Sequence, residues 1–138
     1  MRTLLRRLKT PLLYVMGLFY ITAGVTHFLS PEWFVRIVPP MLPAPLALVY
    51  LSGVAEIAVG IGVLIPRTRH YAALATVALL VAVYPANIYM AVSGVMGSEL
   101  VRWGRLPLQG VLVLWALWYT ESGTDGPTAG GTVYERTD

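Results

Sequence analysis

The sequence predicts an all-α membrane protein, a four-transmembrane-helix antiparallel bundle with a short interfacial segment between helices 1 and 2. Of its 138 residues, 57% are hydrophobic and 12% are charged, whereas a soluble domain carries about 25% charged residues. A soluble chain of this length could not bury so much apolar surface in one core. The apolar residues also form long runs. The first three runs have about the 20 residues that a helix needs to cross the hydrocarbon core.

The helices are expected at about 11–29, 46–65, 71–94 and 106–119, within a single domain over residues 1–120. The fourth helix is the shortest of them. The polar turn between the second and third helices is short, so these two helices are expected to be antiparallel neighbours.

The connection between helices 1 and 2 is rich in proline, which prevents a long regular helix there. Trp33 and Phe34 lie within it and are typical of side chains that anchor a segment at the membrane surface. We therefore expect a short amphipathic segment at the interface.

The distribution of arginine and lysine predicts the orientation. The two ends of the chain and the turn between helices 2 and 3 carry most of the cations, so the positive-inside rule places both termini in the cytoplasm of an inner or plasma membrane protein. Residues 121–138, rich in Gly, Thr and charge, are expected to form a disordered cytoplasmic tail.

Helices 1 and 2 each carry glycines and polar residues at spacings of three and four, which place them on one face. These stripes are Gly17, Tyr20, Gly24 and His27 in helix 1, and Gly53, Glu56 and Gly60 in helix 2. Glycines on such a stripe allow two helix backbones to approach closely. If the stripes pack together, His27 and Glu56 meet in the bundle interior.

Each predicted helix contributes one strongly hydrogen-bonding residue, and in the expected orientation all four lie at the midplane or in the outer half. They are His27, Glu56, Asn87 and Gln109, with Arg105 on the same face as Gln109 and Tyr20 and Tyr84 as aromatic lining. We interpret these seven residues as candidates for ligand binding or proton handling in an outward-facing polar pocket, because ionisable groups inside a membrane are costly and commonly functional. The alternative is that they only fix helix packing, as polar side chains between membrane helices often do.

Several chemistries are excluded by the sequence. The chain has no cysteine, which removes disulfides and thiol chemistry. No set of ligands for a metal site is present, and neither a P-loop nor a dinucleotide-binding glycine pattern occurs. No nucleic-acid-binding motif is found, so the expected surroundings are the lipid bilayer, with a redox protein partner and a homo-oligomer left open. No catalytic residue can be assigned.

The chain resembles the DoxX family of small four-helix membrane proteins over about residues 12–119. The segments that carry the resemblance are AGVTHFLSPEWF at 23–34, SGVAEIAVGIGVLIPRTR at 52–69, YPANIYM at 84–90 and RLPLQ at 105–109. The resemblance implies a four-helix bundle in the inner membrane and a loose functional label. Some relatives are membrane subunits of oxidoreductases, most have no assigned activity, and related animal sequences act as membrane chaperones. It supplies no catalytic residues, and the absence of cysteine argues against a thiol-based role.

Two functions from different classes follow. The first is a subunit of a membrane oxidoreductase system that binds a quinone or a lipid-like small molecule in the outer pocket, with a quinone as the cofactor to be considered. The second is a non-enzymatic membrane scaffold or chaperone whose intramembrane polar residues only fix helix packing. A transporter is a third, weaker interpretation, because four short helices would have to oligomerise to form a pathway.

Overall fold

The computed structural model describes residues 1–121. Within this range every regular secondary-structure element is an α-helix. Five helices follow one another along the chain. They are α1 (Arg2–Leu29), α2 (Pro31–Val35), α3 (Pro45–Leu64), α4 (Arg69–Ser93) and α5 (Glu99–Leu117). Three of these helices, α1, α3 and α4, are long and apolar enough to cross a membrane. The all-α prediction is confirmed, and the three candidate membrane spans indicate an integral membrane protein.

Two helix starts differ from the prediction by several residues, and the other bounds agree within about two. Helix α1 includes the basic start of the chain, so Pro11 lies inside the helix and does not begin it. Helix α5 begins at Glu99, ahead of the predicted start near residue 106, because the Ser98 hydroxyl caps it by accepting a hydrogen bond from the Val101 N–H. The predicted disordered tail lies outside the described residues except for Glu121.

The short helix α2 corresponds to the predicted interfacial segment. It lies between α1 and α3, and its Trp33 is 56% exposed. The chain then runs through a proline-rich stretch to Ala44, whose φ of 49° is left-handed, immediately before α3 begins at Pro45. Proline density therefore limits this connection to a single short helix.

Helices α1 and α3 pack backbone against backbone through their glycines. A Cβ added to Gly24 would lie 2.6 Å from the Gly53 carbonyl oxygen, and one added to Gly60 would lie 2.8 Å from that of Gly17. Only glycine permits this approach. The predicted meeting of the two glycine stripes is therefore observed.

The helices converge at the end that carries the N-terminus. Tyr119 after α5 donates a hydrogen bond to the Lys9 carbonyl of α1 at 2.8 Å, and the His70 ring at the start of α4 donates to the Thr120 carbonyl at 2.6 Å. A buried apolar cluster fills this end: Leu13, Met16, Val59, Val63, Ala73 and Ala116. We call it the closed end.

Helices α1 and α5 are not packed against each other. The order of packing is α1 on α3, α3 on α4 and α4 on α5, and no Cα of α1 lies within 8 Å of a Cα of α5. The ring of helices is therefore incomplete between α1 and α5. We call this interval the α1/α5 gap.

Candidate functional site

A cavity of about 540 Å³ occupies the half of the protein opposite the closed end. All five helices contribute to its walls. Helix α2 contributes Phe34, and the connection that follows α2 contributes further residues. Most of the lining is aliphatic, with a few polar groups, which is the usual composition of a small-molecule site. Its volume falls within the roughly 300–1,000 Å³ of such sites.

Six of the seven predicted site residues line this cavity. They are Tyr20, His27, Glu56, Asn87, Arg105 and Gln109. Tyr84 does not line it and is 38% exposed. The cavity face of α4 includes Leu80, Val83 and Asn87, spaced by three and four, and Tyr84 lies one position further around the helix than Val83.

His27 and Glu56 face each other across the α1–α3 contact. The His27 Nδ1 atom lies 3.2 Å from Glu56 Oε2, and both side chains are largely buried. The same Nδ1 lies 2.9 Å from the Ala23 carbonyl oxygen, one turn earlier in α1. Because a carbonyl can only accept, Nδ1 carries a proton and donates it there.

That single Nδ1 proton cannot also satisfy Glu56. The Glu56 Oε2 atom is buried and has no well-directed hydrogen bond within residues 1–121, although His27 is close to it. The hydroxyl of Tyr20, on the same wall, is also buried without a partner among the described residues. Buried polar atoms are rarely left unpaired in native proteins, so this wall can still form hydrogen bonds with a bound molecule or water.

Phe34 of α2 lies against His27. The two rings stack with centroids 3.7 Å apart and an interplanar angle of 18°. The sequence suggested only an interfacial anchor at this position, and the stacking depends on the angle at which α2 returns over α1. A second residue missed from sequence is Ser52, which lines the cavity one turn before Glu56; the spacing of four could have indicated it.

Asn87 and Gln109 form the opposite wall as a hydrogen-bonded pair. The Asn87 Nδ2 donates to Gln109 Oε1 at 2.5 Å, and the Gln109 Nε2 donates to the Leu80 carbonyl. Pro85 has no N–H to offer the carbonyl four residues earlier, so this stretch of α4 is where the helical hydrogen bonds are weakened. The carbonyl that loses its helical donor is that of Val81, so Gln109 adds a hydrogen bond to the adjacent Leu80 carbonyl and does not replace the missing one.

Arg105 lies one turn before Gln109 on α5. Its Nη1 donates to the Met90 sulfur at 3.3 Å. No carboxylate of residues 1–121 lies within 4 Å of its guanidinium. Among the same residues, no group of three or more His, Cys, Asp or Glu side chains could hold a metal ion.

Comparison with known proteins identifies a family and no activity. The family described as Domain of unknown function (DUF8561) matches residues 16–120, whereas DoxX does not match. No curated protein and no solved structure matches the chain. The matched range includes all the residues that line the cavity.

Proposed function

The chain belongs to the DUF8561 family, and we propose that it binds a lipid-soluble small molecule with a polar head, such as a quinone or a lipid, in the cavity between α1, α3, α4 and α5. The observation that carries this proposal is the set of polar atoms on the cavity walls that lack protein partners. Glu56 Oε2 and the Tyr20 hydroxyl are buried and unpaired among the described residues, and Arg105 faces the same space. A ligand head that both donates and accepts hydrogen bonds would pair them.

The orientation is part of the proposal. With the closed end in the cytoplasm, the cavity opens in the outer half of the bilayer. Helix α5 is then a fourth span, because it returns to the closed end beside the start of α1. Its charged residues fall in its first two turns, Glu99 to Arg105, where head groups can solvate them.

We further propose that the bound molecule takes part in proton or electron transfer within a membrane oxidoreductase system. Its support is the His27–Glu56 contact, which places two proton-carrying groups beside the cavity, and the resemblance of the ordered segments to DoxX proteins. The chain has no cysteine for thiol redox chemistry, so we assign the electrons to a quinone-like ligand.

The test is native mass spectrometry with lipid extraction on gently solubilised protein. The wild type is compared with Glu56→Gln and His27→Ala, and Glu32→Gln serves as the matched control, since Glu32 is exposed and does not line the cavity. We expect a defined ligand in the wild type and in the control, reduced about tenfold in the two cavity variants. Equal retention in all four proteins, or no specific ligand in any of them while all remain folded, would contradict the proposal.

The scaffold interpretation is favoured by one observation. Gln109 uses both ends of its amide within the protein, as a packing residue would. The scaffold function would be preferred over ligand binding if the cavity variants behaved as wild type and a protein partner were required for stability.

A further inference from the structure

The position of Arg105 indicates the chemical class of the ligand. This residue lines the main cavity and also a second cavity of about 340 Å³, which lies under α2 and the α4–α5 connection. The second cavity is lined by Thr26, Ser30, Trp33, Phe34, Ile37 and Met96 together with Arg105. Arg105 therefore lies where the two cavities meet.

The guanidinium of Arg105 has donors to spare. A guanidinium carries five N–H donors, and a thioether sulfur is a weak acceptor. Within residues 1–121 the Arg105 side chain makes one hydrogen bond, to the Met90 sulfur. The side chain is only partly buried. Such a cation at the wall of an apolar cavity favours an anionic partner, and arginine matches carboxylate and phosphate oxygens in pairs.

Glu56 does not supply that partner. Its carboxylate lies beside His27, and it is not within 4 Å of Arg105. A ligand head in contact with Arg105 would therefore lie between the cationic and the acidic walls. An acidic head pairs with Glu56 only when one proton lies between the two groups, because two ionised oxygens both accept. Asn87, with one amide hydrogen on Gln109, retains an acceptor oxygen and a second N–H nearby.

The α1/α5 gap gives an apolar tail a way to the bilayer. Phe19 on α1 and Leu108 on α5 line the cavity on either side of this gap and are 46% and 53% exposed. A tail leaving between them would contact lipid directly. Arg105 is six residues from the start of α5, about 9 Å along the helix, so a head held there lies near the depth of lipid head groups in the proposed orientation.

From this arrangement we infer that the ligand is an acidic amphiphile, whose carboxylate or phosphate binds Arg105 and whose hydrocarbon tail fills the cavity and leaves through the α1/α5 gap. The inference rests on the proposed function and narrows it from any lipid-soluble molecule to an anionic one. Two kinds of molecule carry such an acidic head on a hydrocarbon tail, a free fatty acid and an acidic phospholipid.

The test measures binding of oleate, oleyl alcohol and phosphatidylglycerol to purified protein by native mass spectrometry titration. We use wild type, Arg105→Gln and Arg105→Lys, with Arg67→Gln as the matched control, because Arg67 is exposed and lies in the turn between α3 and α4 at the closed end. We expect an acidic probe to bind the wild type at least tenfold more tightly than oleyl alcohol. This preference should be lost in Arg105→Gln, partly kept in Arg105→Lys and unchanged in Arg67→Gln.

The outcomes separate the two proposals. Preference for oleate or for phosphatidylglycerol identifies the source of the acidic head. Equal binding of oleate and oleyl alcohol, or an acid preference that survives Arg105→Gln, overturns the acidic-ligand inference and leaves the proposed binding function in place. If none of the probes binds and the extraction experiment finds no ligand either, both proposals fail.

Discussion

At the scale of single residues, the polar groups of the cavity divide by how much of their hydrogen-bonding capacity the protein uses. Gln109 is 6% exposed and has both ends of its amide engaged, by Asn87 and by the Leu80 carbonyl. Glu56 and Tyr20 each leave a buried oxygen unpaired among the described residues. We therefore expect substitutions at Gln109 to act on stability, and substitutions at Glu56 to act on binding.

Replacing Gln109 with leucine should lower stability. The substitution keeps a side chain of similar size but removes the amide. The Asn87 N–H then loses its acceptor and the Leu80 carbonyl loses the Gln109 donor, at a cost of about 1–2 kcal/mol. The measurement is the thermal unfolding midpoint in detergent. Asn87→Ala and the double variant complete a mutant cycle, and additive effects would show that the Asn87–Gln109 hydrogen bond contributes nothing.

Replacing Tyr20 with phenylalanine should leave the fold intact. The change removes a buried hydroxyl that has no partner within residues 1–121, so the unfolding midpoint should stay the same or rise slightly. Ligand retention should fall, because the hydroxyl is available to the ligand. A clear loss of stability with unchanged retention would show that this hydroxyl has a structural partner.

Residue by residue, the sequence predicted the site in part. The juxtaposition of His27 and Glu56 follows from the glycine stripes, because spacing fixes which side chains share a face. The stacking of Phe34 on His27 could not be predicted, since it depends on how a proline-rich connection folds back. Tyr84 was expected in the pocket but lies outside the cavity lining, because helical spacing places Val83 and Asn87 on the cavity face and Tyr84 beside it.

At the scale of helices, the α1–α3 contact is the most restrictive element. Its closest points are glycines, and three of the four stripe glycines have a backbone oxygen of the other helix within 3.0 Å of an added Cβ. The sequence predicts this pairing well. It predicts α5 less well, because a serine cap and two turns of charged residues resemble a loop in composition.

Substituting alanine at Gly24 should destabilise the protein. The added methyl would lie 2.6 Å from the Gly53 carbonyl oxygen and 2.7 Å from Ile57 Cγ1, so the helices would have to separate. We expect a loss of about 1–3 kcal/mol, as for overpacking in a core. Gly104→Ala is the matched control, because no atom lies within 4 Å of its added Cβ and alanine should gain up to about 1 kcal/mol in helix propensity. Equal effects at the two glycines would contradict close packing of α1 on α3.

At the scale of the whole molecule, the protein is closed at one end and open at the other. The closed end joins α1, α4 and α5 through Tyr119 and His70, whereas the cavity separates α1 from α5 in the other half. Exposed apolar side chains surround both halves, among them Leu51, Val81, Val92 and Leu114. This shape fits a protein that receives a ligand from the surrounding bilayer.

The topology can be tested by labelling, because the chain has no cysteine of its own. Single cysteines at Pro40, Arg67 and Glu121, all exposed, report on the α2–α3 connection, the α3–α4 turn and the end of α5. With a membrane-impermeant maleimide on intact cells, we expect labelling at position 40 and protection at positions 67 and 121. Labelling at position 121 together with position 40 would show that α5 does not cross the membrane.

The central claim is that a molecule occupies the cavity and reaches the bilayer through the α1/α5 gap. The most direct measurement is a structure of the protein determined in a lipid nanodisc. We predict elongated non-protein density that has one end beside Arg105, Glu56 and Tyr20 and leaves between Phe19 and Leu108. Helices α1 and α5 in contact along their whole length, with the cavity collapsed and Arg105 turned to the head groups, would contradict it.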